Sequence, residues 1–142
     1  MNDLLPPDSA LWAGVEEQAR KLFSRYGYQE IRTPLVEEKL LFSRTLGETT
    51  SVVEKEMYDF QDKKGKWLAL RPEGTASVVR ALIEHGILMT EPVSRFFYIG
   101  PMYRYEQPQQ GRYRQFHQIG VEAFGTASPL VDAEMIQMGD QF

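Results

Sequence analysis

The chain has 142 residues, 42% hydrophobic and 25% charged, a composition that fits one globular domain and excludes a disordered segment. Its formal net charge of −4 gives no basic surplus for a broad nucleic-acid interface. It has no cysteine and two histidines, so disulfides and thiolate- or histidine-led metal sites are excluded, and we expect no protein-held metal. The lack of cysteine is compatible with a reducing cytosol but does not prove one; we expect a cytoplasmic location. No apolar run approaches the roughly 18 residues that cross a bilayer, so no membrane association is expected.

The first third of the chain predicts a helix, a strand and a second helix. Asp8 or Ser9 can cap a helix that runs to Gly27, a residue suited to the C-terminal stop. Residues 28–33 are strand-like up to Pro34, residues 37–45 form a short helix, and residues 47–55 have the composition of a flexible loop. The first helix has an apolar face that fits core or dimer packing, made of Leu11, Trp12, Val15, Ala19, Leu22, Phe23 and Tyr26.

The remaining segments predict an antiparallel sheet flanked by helices. Residues 57–61 and 67–70 form a hairpin around a turn at 62–65, and a helix follows over 76–85. Residues 95–99 are an aromatic strand that leads into a second hairpin, and a last helix begins at Asp132. Because strands follow one another through hairpins, the fold class is α+β. The last helix has no stop signal before Phe142, so we expect a truncated domain.

The second hairpin, residues 100–124, is the most informative segment. Strand side chains alternate between the two faces of a sheet. The face opposite His117 on the second strand therefore carries Phe116, Gln118, Gly120 and Glu122. His117 itself shares a mostly apolar face, which predicts a core histidine, and on the first strand Arg104 and Glu106 lie on one face. An arginine, two glutamates, an amide and an aromatic ring beside a glycine indicate the floor of a site for a flat, charged ligand.

A second polar segment, Arg71-Pro-Glu-Gly-Thr75, lies between a predicted strand and a predicted helix. Such a junction places the Glu73 carboxylate and the Thr75 hydroxyl at the rim of the sheet, near the helix N-terminal amides. A carboxylate in that position suits a substrate ammonium group.

Together these segments resemble the class II aminoacyl-tRNA synthetases, and the histidyl-tRNA synthetase family in particular, over nearly the whole chain. Residues 27–34 (Gly-Tyr-Gln-Glu-Ile-Arg-Thr-Pro) resemble motif 1 of the dimer interface, and residues 70–75 resemble the segment that meets the amino acid. Residues 103–106 resemble the Arg-x-Glu core of motif 2, and residues 111–118 its loop and second strand. The resemblance implies that residues 1–142 are the N-terminal portion of a class II catalytic domain, with motif 3 and the anticodon-binding domain beyond Phe142.

The resemblance also implies an ATP site. Arg104, the expected catalytic residue, would hold the α-phosphate and the substrate carboxylate. Glu106 would meet the adenine amino group, Phe116 would stack on the adenine ring, and Arg112 would reach the β- and γ-phosphates. Mg²⁺ would accompany ATP. Gln107 stands where the family often has a second arginine, which weakens one loop contact.

The implied amino-acid site would bind the α-amino group of histidine through Glu73, Thr75, Gln118 and Glu122, with Gly120 leaving room for the substrate. The implied reaction makes histidyl-adenylate and pyrophosphate from histidine and ATP, and then transfers histidine to tRNA(His). The full-length protein would be a homodimer through motif 1, and the fragment alone would be a poor catalyst.

Other interpretations remain open at this point. The histidine-sensing regulatory subunit of ATP phosphoribosyltransferase has the same fold, and another class II synthetase could share a similar motif 2. Taken singly, Arg104 and Glu106 would fit a surface ion pair, Phe116 would fit a core residue and Thr75 would fit a helix cap.

Overall fold

The structure, a computed structural model, describes residues 3–47, 56–105 and 111–142. These divide into two compact units: a first unit of residues 3–32, 85–99 and 119–142, and a second unit of residues 33–47, 56–84, 100–105 and 111–118. In chain order the elements are α1 (Asp8–Arg25), β1 (Gln29–Glu30), β2 (Val36–Glu38), α2 (Lys39–Leu46), β3 (Asp59–Gln61), β4 (Trp67–Leu70), α3 (Thr75–Glu84), α4 (Ile87–Thr90), β5 (Ser94–Tyr103), β6 (Gln115–Phe124) and α5 (Pro129–Gln141). The mixed helix and sheet content confirms the α+β class.

The first unit is built on the order β1–β5–β6. The buried residues of its core are Ala19, Leu22, Phe23, Tyr28, Phe97 and Met138. The prediction of a strand over 28–33 is too long, because only Gln29 and Glu30 pair with β5. That pair is parallel, so the sheet is not wholly antiparallel; a long stretch of chain separates the two strands, which makes a parallel pairing possible.

Helix α1 packs on this core with only its C-terminal half. Ala19 and Phe23 are buried, whereas Leu11 is 71% exposed and Val15 is 50% exposed. The helix ends at Arg25, and Gly27 follows with φ of +78°, a left-handed conformation that glycine adopts without strain. The single apolar face predicted from the sequence is therefore divided along the helix, with its N-terminal half exposed and its C-terminal half buried.

Helix α5 is fixed to the same core by polar contacts. It begins at Pro129, earlier than predicted, because the Ser128 side chain caps it by accepting a hydrogen bond from the N–H of Leu130. The Tyr28 hydroxyl donates to a Glu134 carboxylate oxygen at 3.1 Å, and the Arg95 Nε lies 3.4 Å from the same oxygen. Burial, together with Glu134, raises the pKa of Tyr28 to about 12.

The second unit contains the antiparallel sheet β2–β4–β3 and helices α2 and α3. The predicted hairpin is confirmed, with Asp59 opposite Ala69 and Gln61 opposite Trp67. Helix α2 begins later than predicted, since Glu37 lies in β2 opposite Ala69. Phe42, Ala69 and Ala76 form the buried core of this unit.

An ion-pair network connects β2 to α3 and includes the buried carboxylate of Glu37. The Arg80 Nη2 lies 2.8 Å from a Glu37 carboxylate oxygen, and its Nη1 lies 2.6 Å from Glu84. Burial works against the charge of Arg80, but the two carboxylates outweigh it and raise the pKa of the guanidinium. Within the described ranges, no helix is both long and apolar enough to cross a membrane.

Candidate functional site

The segment between β4 and α3 presents the Glu73 carboxylate at the start of the helix. One Glu73 oxygen accepts the N–H of Thr75 at 2.6 Å, and the other accepts the N–H of Ala76 at 2.9 Å. The side chain is nearly buried, and the positive end of α3 favours its charge. Glu73 is therefore an N-terminal cap, and because an ionised carboxylate has about four acceptor positions, it retains capacity for a further donor.

Arg71 fixes the chain just before Glu73. Its backbone N–H donates to the carbonyl of Leu35 at 2.9 Å, and its own carbonyl accepts the N–H of Tyr103 at 3.0 Å. Its guanidinium, 5% exposed, donates from Nε to the Pro101 carbonyl and from Nη1 to the carbonyl and hydroxyl of Thr33, each at 3.0 Å. Sequence reasoning gave Arg71 no role. The available signal was an arginine at the end of an apolar strand, where a buried charge needs partners.

Arg104 lies directly after β5 and beside the same segment. Its Nε donates to the Pro72 carbonyl at 2.9 Å, and its guanidinium carbon is 5.3 Å from the centre of the Phe116 ring. Its backbone N–H donates to the Arg114 carbonyl, which joins the two strands of the hairpin. The Nη1 and Nη2 nitrogens make no hydrogen bond to another described residue, so this edge of the guanidinium can accept an anion.

Gln118 lies on the same strand face as Phe116 by the alternation of β6. Its side-chain oxygen is buried and has no hydrogen-bond partner among the described residues. A buried acceptor without a donor costs about 1–3 kcal/mol, so such atoms are unusual in folded proteins. A ligand that carries an N–H group would satisfy this oxygen.

The sequence predicted that Gly120 leaves room for a substrate. The structure shows that it does not, because the ring of Tyr98 already occupies that space. A Cβ atom on Gly120 would fall against this ring, 2.7 Å from its Cε2 atom. Tyr98 is 4% exposed, so its ring covers the glycine from the neighbouring strand. Glu122, two residues further along β6, is half-buried in the first unit.

The other predicted residues are more scattered. Thr75 is half-buried as the first residue of α3, and Arg112 is exposed ahead of β6. His117 is also exposed, so the prediction of a core histidine is wrong; the core cluster includes Ile119 and Val121 of the same strand but does not extend to the start of β6. Glu106 and Gln107 lie outside the described residues, as do residues 48–55 of the predicted loop.

The fold closely matches two solved structures. Apo histidyl-tRNA synthetase from S. aureus superimposes with a TM-score of 0.82 at 43% identity, covering 99% of this chain and 32% of that one. A Bacillus halodurans protein described as an ATP phosphoribosyltransferase regulatory subunit/histidyl-tRNA synthetase gives a TM-score of 0.83 at 27% identity, covering 99% and 35%. The class of protein that this fold defines is that of the aminoacyl-tRNA synthetases and their structural relatives.

Sequence comparison narrows the class to one family. The histidine–tRNA ligase of Trichlorobacter lovleyi is 58% identical over 137 residues, which cover 96% of this chain and 33% of the ligase. The profile of the histidyl-tRNA synthetase family matches residues 1–142, and the chain belongs to that family. It spans about a third of the length of the curated relatives that it matches.

Proposed function

We propose that the full-length protein is a histidine–tRNA ligase that activates histidine with ATP and transfers it to tRNA(His). The observation that carries the proposal is the arrangement of Arg104, whose guanidinium is fixed by Pro72 and lies beside the Phe116 ring. Residues 1–142 would be the N-terminal part of a class II catalytic domain that holds motifs 1 and 2. Motif 3 and the anticodon-binding domain would belong to the rest of the protein.

The activation step needs two anions held in line. A carboxylate oxygen of histidine attacks the α-phosphorus of ATP, a P–O bond forms, and the bond to the leaving pyrophosphate breaks. Alignment and charge cancellation supply most of the rate, so no side-chain nucleophile is required. Arg104 would bind the α-phosphate and the carboxylate, because a guanidinium binds oxyanions in a bidentate way and keeps its charge. Phe116 would stack on adenine, Glu106 would bind its amino group, and Arg112 would contact the β- and γ-phosphates.

The amino-acid part of the site would bind the ammonium group of histidine. Two sets of acceptors support this assignment, since each can accept an N–H: the Gln118 oxygen, which has no partner among the described residues, and the remaining acceptor positions of Glu73. Thr75 and Glu122 would complete the set.

Mg²⁺ would enter with ATP as part of the substrate. Mg²⁺ commonly takes most of its ligands from phosphate oxygens and water. The ion would neutralise charge on the departing pyrophosphate.

The full-length protein would be a cytoplasmic homodimer through motif 1. Motif 1 comprises a long helix and the strand after it, and the N-terminal half of α1 supports an interface here because its apolar residues Leu11 and Val15 are exposed to solvent. A second copy of the chain would cover this patch. Analytical sedimentation of Leu11→Asp and the wild type tests the dimer, since the charged variant should dissociate and the wild type should not.

Isothermal titration of the full-length protein with ATP and with histidine tests the function. Binding of both ligands supports the ligase. Histidine binding without ATP binding would favour the alternative, a histidine-sensing regulatory subunit of ATP phosphoribosyltransferase, which the Bacillus halodurans likeness keeps under consideration. Binding of neither ligand would refute both functions.

A further inference from the structure

We propose that Arg71 is a positioning residue that sets the placement of Arg104 and Glu73 together, without touching substrate itself. The ligands named below rest on the proposed function, but the geometry does not. Arg71, Pro72 and Glu73 are consecutive, and each holds a different part of the second unit. The segment therefore connects the expected phosphate-binding arginine to the expected ammonium-binding carboxylate.

The side chain of Arg71 supplies hydrogen bonds where the backbone cannot. It donates to the carbonyls of Thr33 and Pro101. Residue 101 is itself a proline, and Thr33 is followed by Pro34. Proline has no N–H, so the chain at residues 34 and 101 cannot donate to a neighbouring strand. The buried guanidinium bridges these two segments from one point, and removing it would take this donor away from the carbonyls of two half-buried residues.

Two backbone carbonyls connect the Arg71 segment to the site. The carbonyl of Arg71 accepts the N–H of Tyr103, and the carbonyl of Pro72 accepts the Nε of Arg104. On the other side, Glu73 is fixed by the amides of α3. A shift of Arg71 would therefore move the guanidinium of Arg104 relative to the carboxylate of Glu73.

Gly100 provides the space that the guanidinium occupies. A Cβ atom at Gly100 would lie 2.6 Å from Arg71 Nη2, closer than real contacts allow. The side chain of Arg71 cannot easily move aside, because it is buried and donates hydrogen bonds to Thr33 and Pro101. The backbone of Gly100 is not in the left-handed region, so the glycine serves the neighbouring arginine and not its own φ angle. Gly100→Ala thus displaces Arg71 without deleting it.

The experiment compares Arg71→Met, Arg71→Lys and Gly100→Ala with a matched control, Arg80→Met, in the full-length protein. Arg80 lies in the same unit, on α3, and pairs with Glu37 and Glu84. Its variant therefore shows how far a general loss of stability changes each measurement. The first readout is amide hydrogen exchange of Thr75 and Ala76 without ligand. We expect this amide exchange to be faster in Arg71→Met and Gly100→Ala than in Arg80→Met.

The second readout is histidine-dependent pyrophosphate exchange, followed by ATP titration in an Arg104→Ala background. We expect Arg71→Met and Gly100→Ala to lose about 10²-fold in kcat, the loss that a small misplacement of catalytic groups can cause. The effect of Arg71→Met on ATP affinity should vanish when Arg104 is already absent, because Arg71 acts through it. Arg71→Lys keeps the charge but not the planar fork and should not restore the rate.

Wild-type amide exchange together with a wild-type kcat in Gly100→Ala would overturn the proposal. So would effects of Arg71→Met that are no larger than those of Arg80→Met. An effect of Arg71→Met on ATP affinity that simply adds to that of Arg104→Ala would also overturn it. If Arg71→Met does not fold, Gly100→Ala and Arg71→Lys decide the question. A wild-type protein that binds neither ATP nor histidine would refute the proposed function instead, and the ligand-free amide exchange would still decide the role of Arg71.

Discussion

Arg104 and Pro72 are joined by a 2.9 Å hydrogen bond from the guanidinium Nε to the carbonyl oxygen. The bond orients the arginine before a ligand is present and leaves its Nη1 and Nη2 edge for an anion. The guanidinium carbon lies over the Phe116 ring, 5.3 Å from its centre, and this contact also limits the movement of the arginine. Donors that are oriented in advance cost no reorganisation during the reaction, which is the usual basis of electrostatic catalysis.

Arg104→Ala should reduce the rate of pyrophosphate exchange by about 10²–10³-fold, the usual cost of losing one preorganised donor. The measurement is steady-state exchange in the full-length protein at saturating ATP and histidine. Arg25→Ala is the matched control, since Arg25 is an exposed arginine in the last turn of α1, outside the segments assigned to the site. A rate in Arg104→Ala equal to that of Arg25→Ala would rule out the assigned role.

Gln118→Met should separate stability from binding. The substitution keeps the shape of the side chain and removes a buried acceptor that has no described partner, so the free energy of unfolding should stay constant or rise. Affinity for histidine should fall by about tenfold or more, since a lost hydrogen bond to a charged group costs about 1.5–3 kcal/mol. Urea unfolding and histidine titration give the two values. A destabilised variant with unchanged histidine affinity would contradict this account.

Gly120→Ala should destabilise the protein through Tyr98 and not through the backbone. The new methyl group would meet the Tyr98 ring, and overpacking of this kind costs about 1–3 kcal/mol. Adding Tyr98→Leu, which removes the ring, should recover part of the loss in a urea-unfolding comparison of the single and double variants. Strictly additive losses in the double variant would show that the ring is not the cause.

Tyr28 should make stability fall with pH in the alkaline range. Burial, aided by Glu134, raises the pKa of Tyr28 to about 12 in the folded protein, while an unfolded tyrosine titrates near 10. The folded state therefore holds its proton more tightly, and the contribution is complete below about pH 10 and is lost as the pH rises toward about 12.

The test of this prediction is the difference in unfolding midpoint between the wild type and Tyr28→Phe, measured at several pH values from 9 upward. The phenylalanine variant cannot ionise at this position, so the difference separates the titration of Tyr28 from that of the other groups that ionise in this pH range, such as the lysines. The difference should shrink or change sign as the pH rises. A difference that is constant with pH would mean that Tyr28 does not titrate as described.

The sequence predicted those features that depend on local pattern. The hairpin around residues 62–65, the helix after Glu73 and the stop of α1 at Gly27 all follow from turn chemistry and periodicity, and the structure confirms them. Alternation on β6 also separated Ile119 and Val121, which pack on the core, from Phe116 and Gln118.

Features that depend on distant contacts could not be predicted in this way. The parallel pairing of β1 with β5 and the Tyr98 ring over Gly120 both join residues far apart in the chain, and no local pattern encodes them. Periodicity gave α1 one apolar face but could not show that only the part of the helix after Val15 contacts the core. The role of Arg71 was missed for the same reason, since its partners at residues 33 and 101 lie on two separate segments.

Pyrophosphate exchange by the full-length protein, with each of the twenty amino acids offered in turn, tests the proposed function most directly. We expect rapid ATP–pyrophosphate exchange with histidine alone, and loss of that exchange in Arg104→Ala. Exchange that is absent with histidine, or that another amino acid supports better, would contradict the assignment of histidine as the activated substrate.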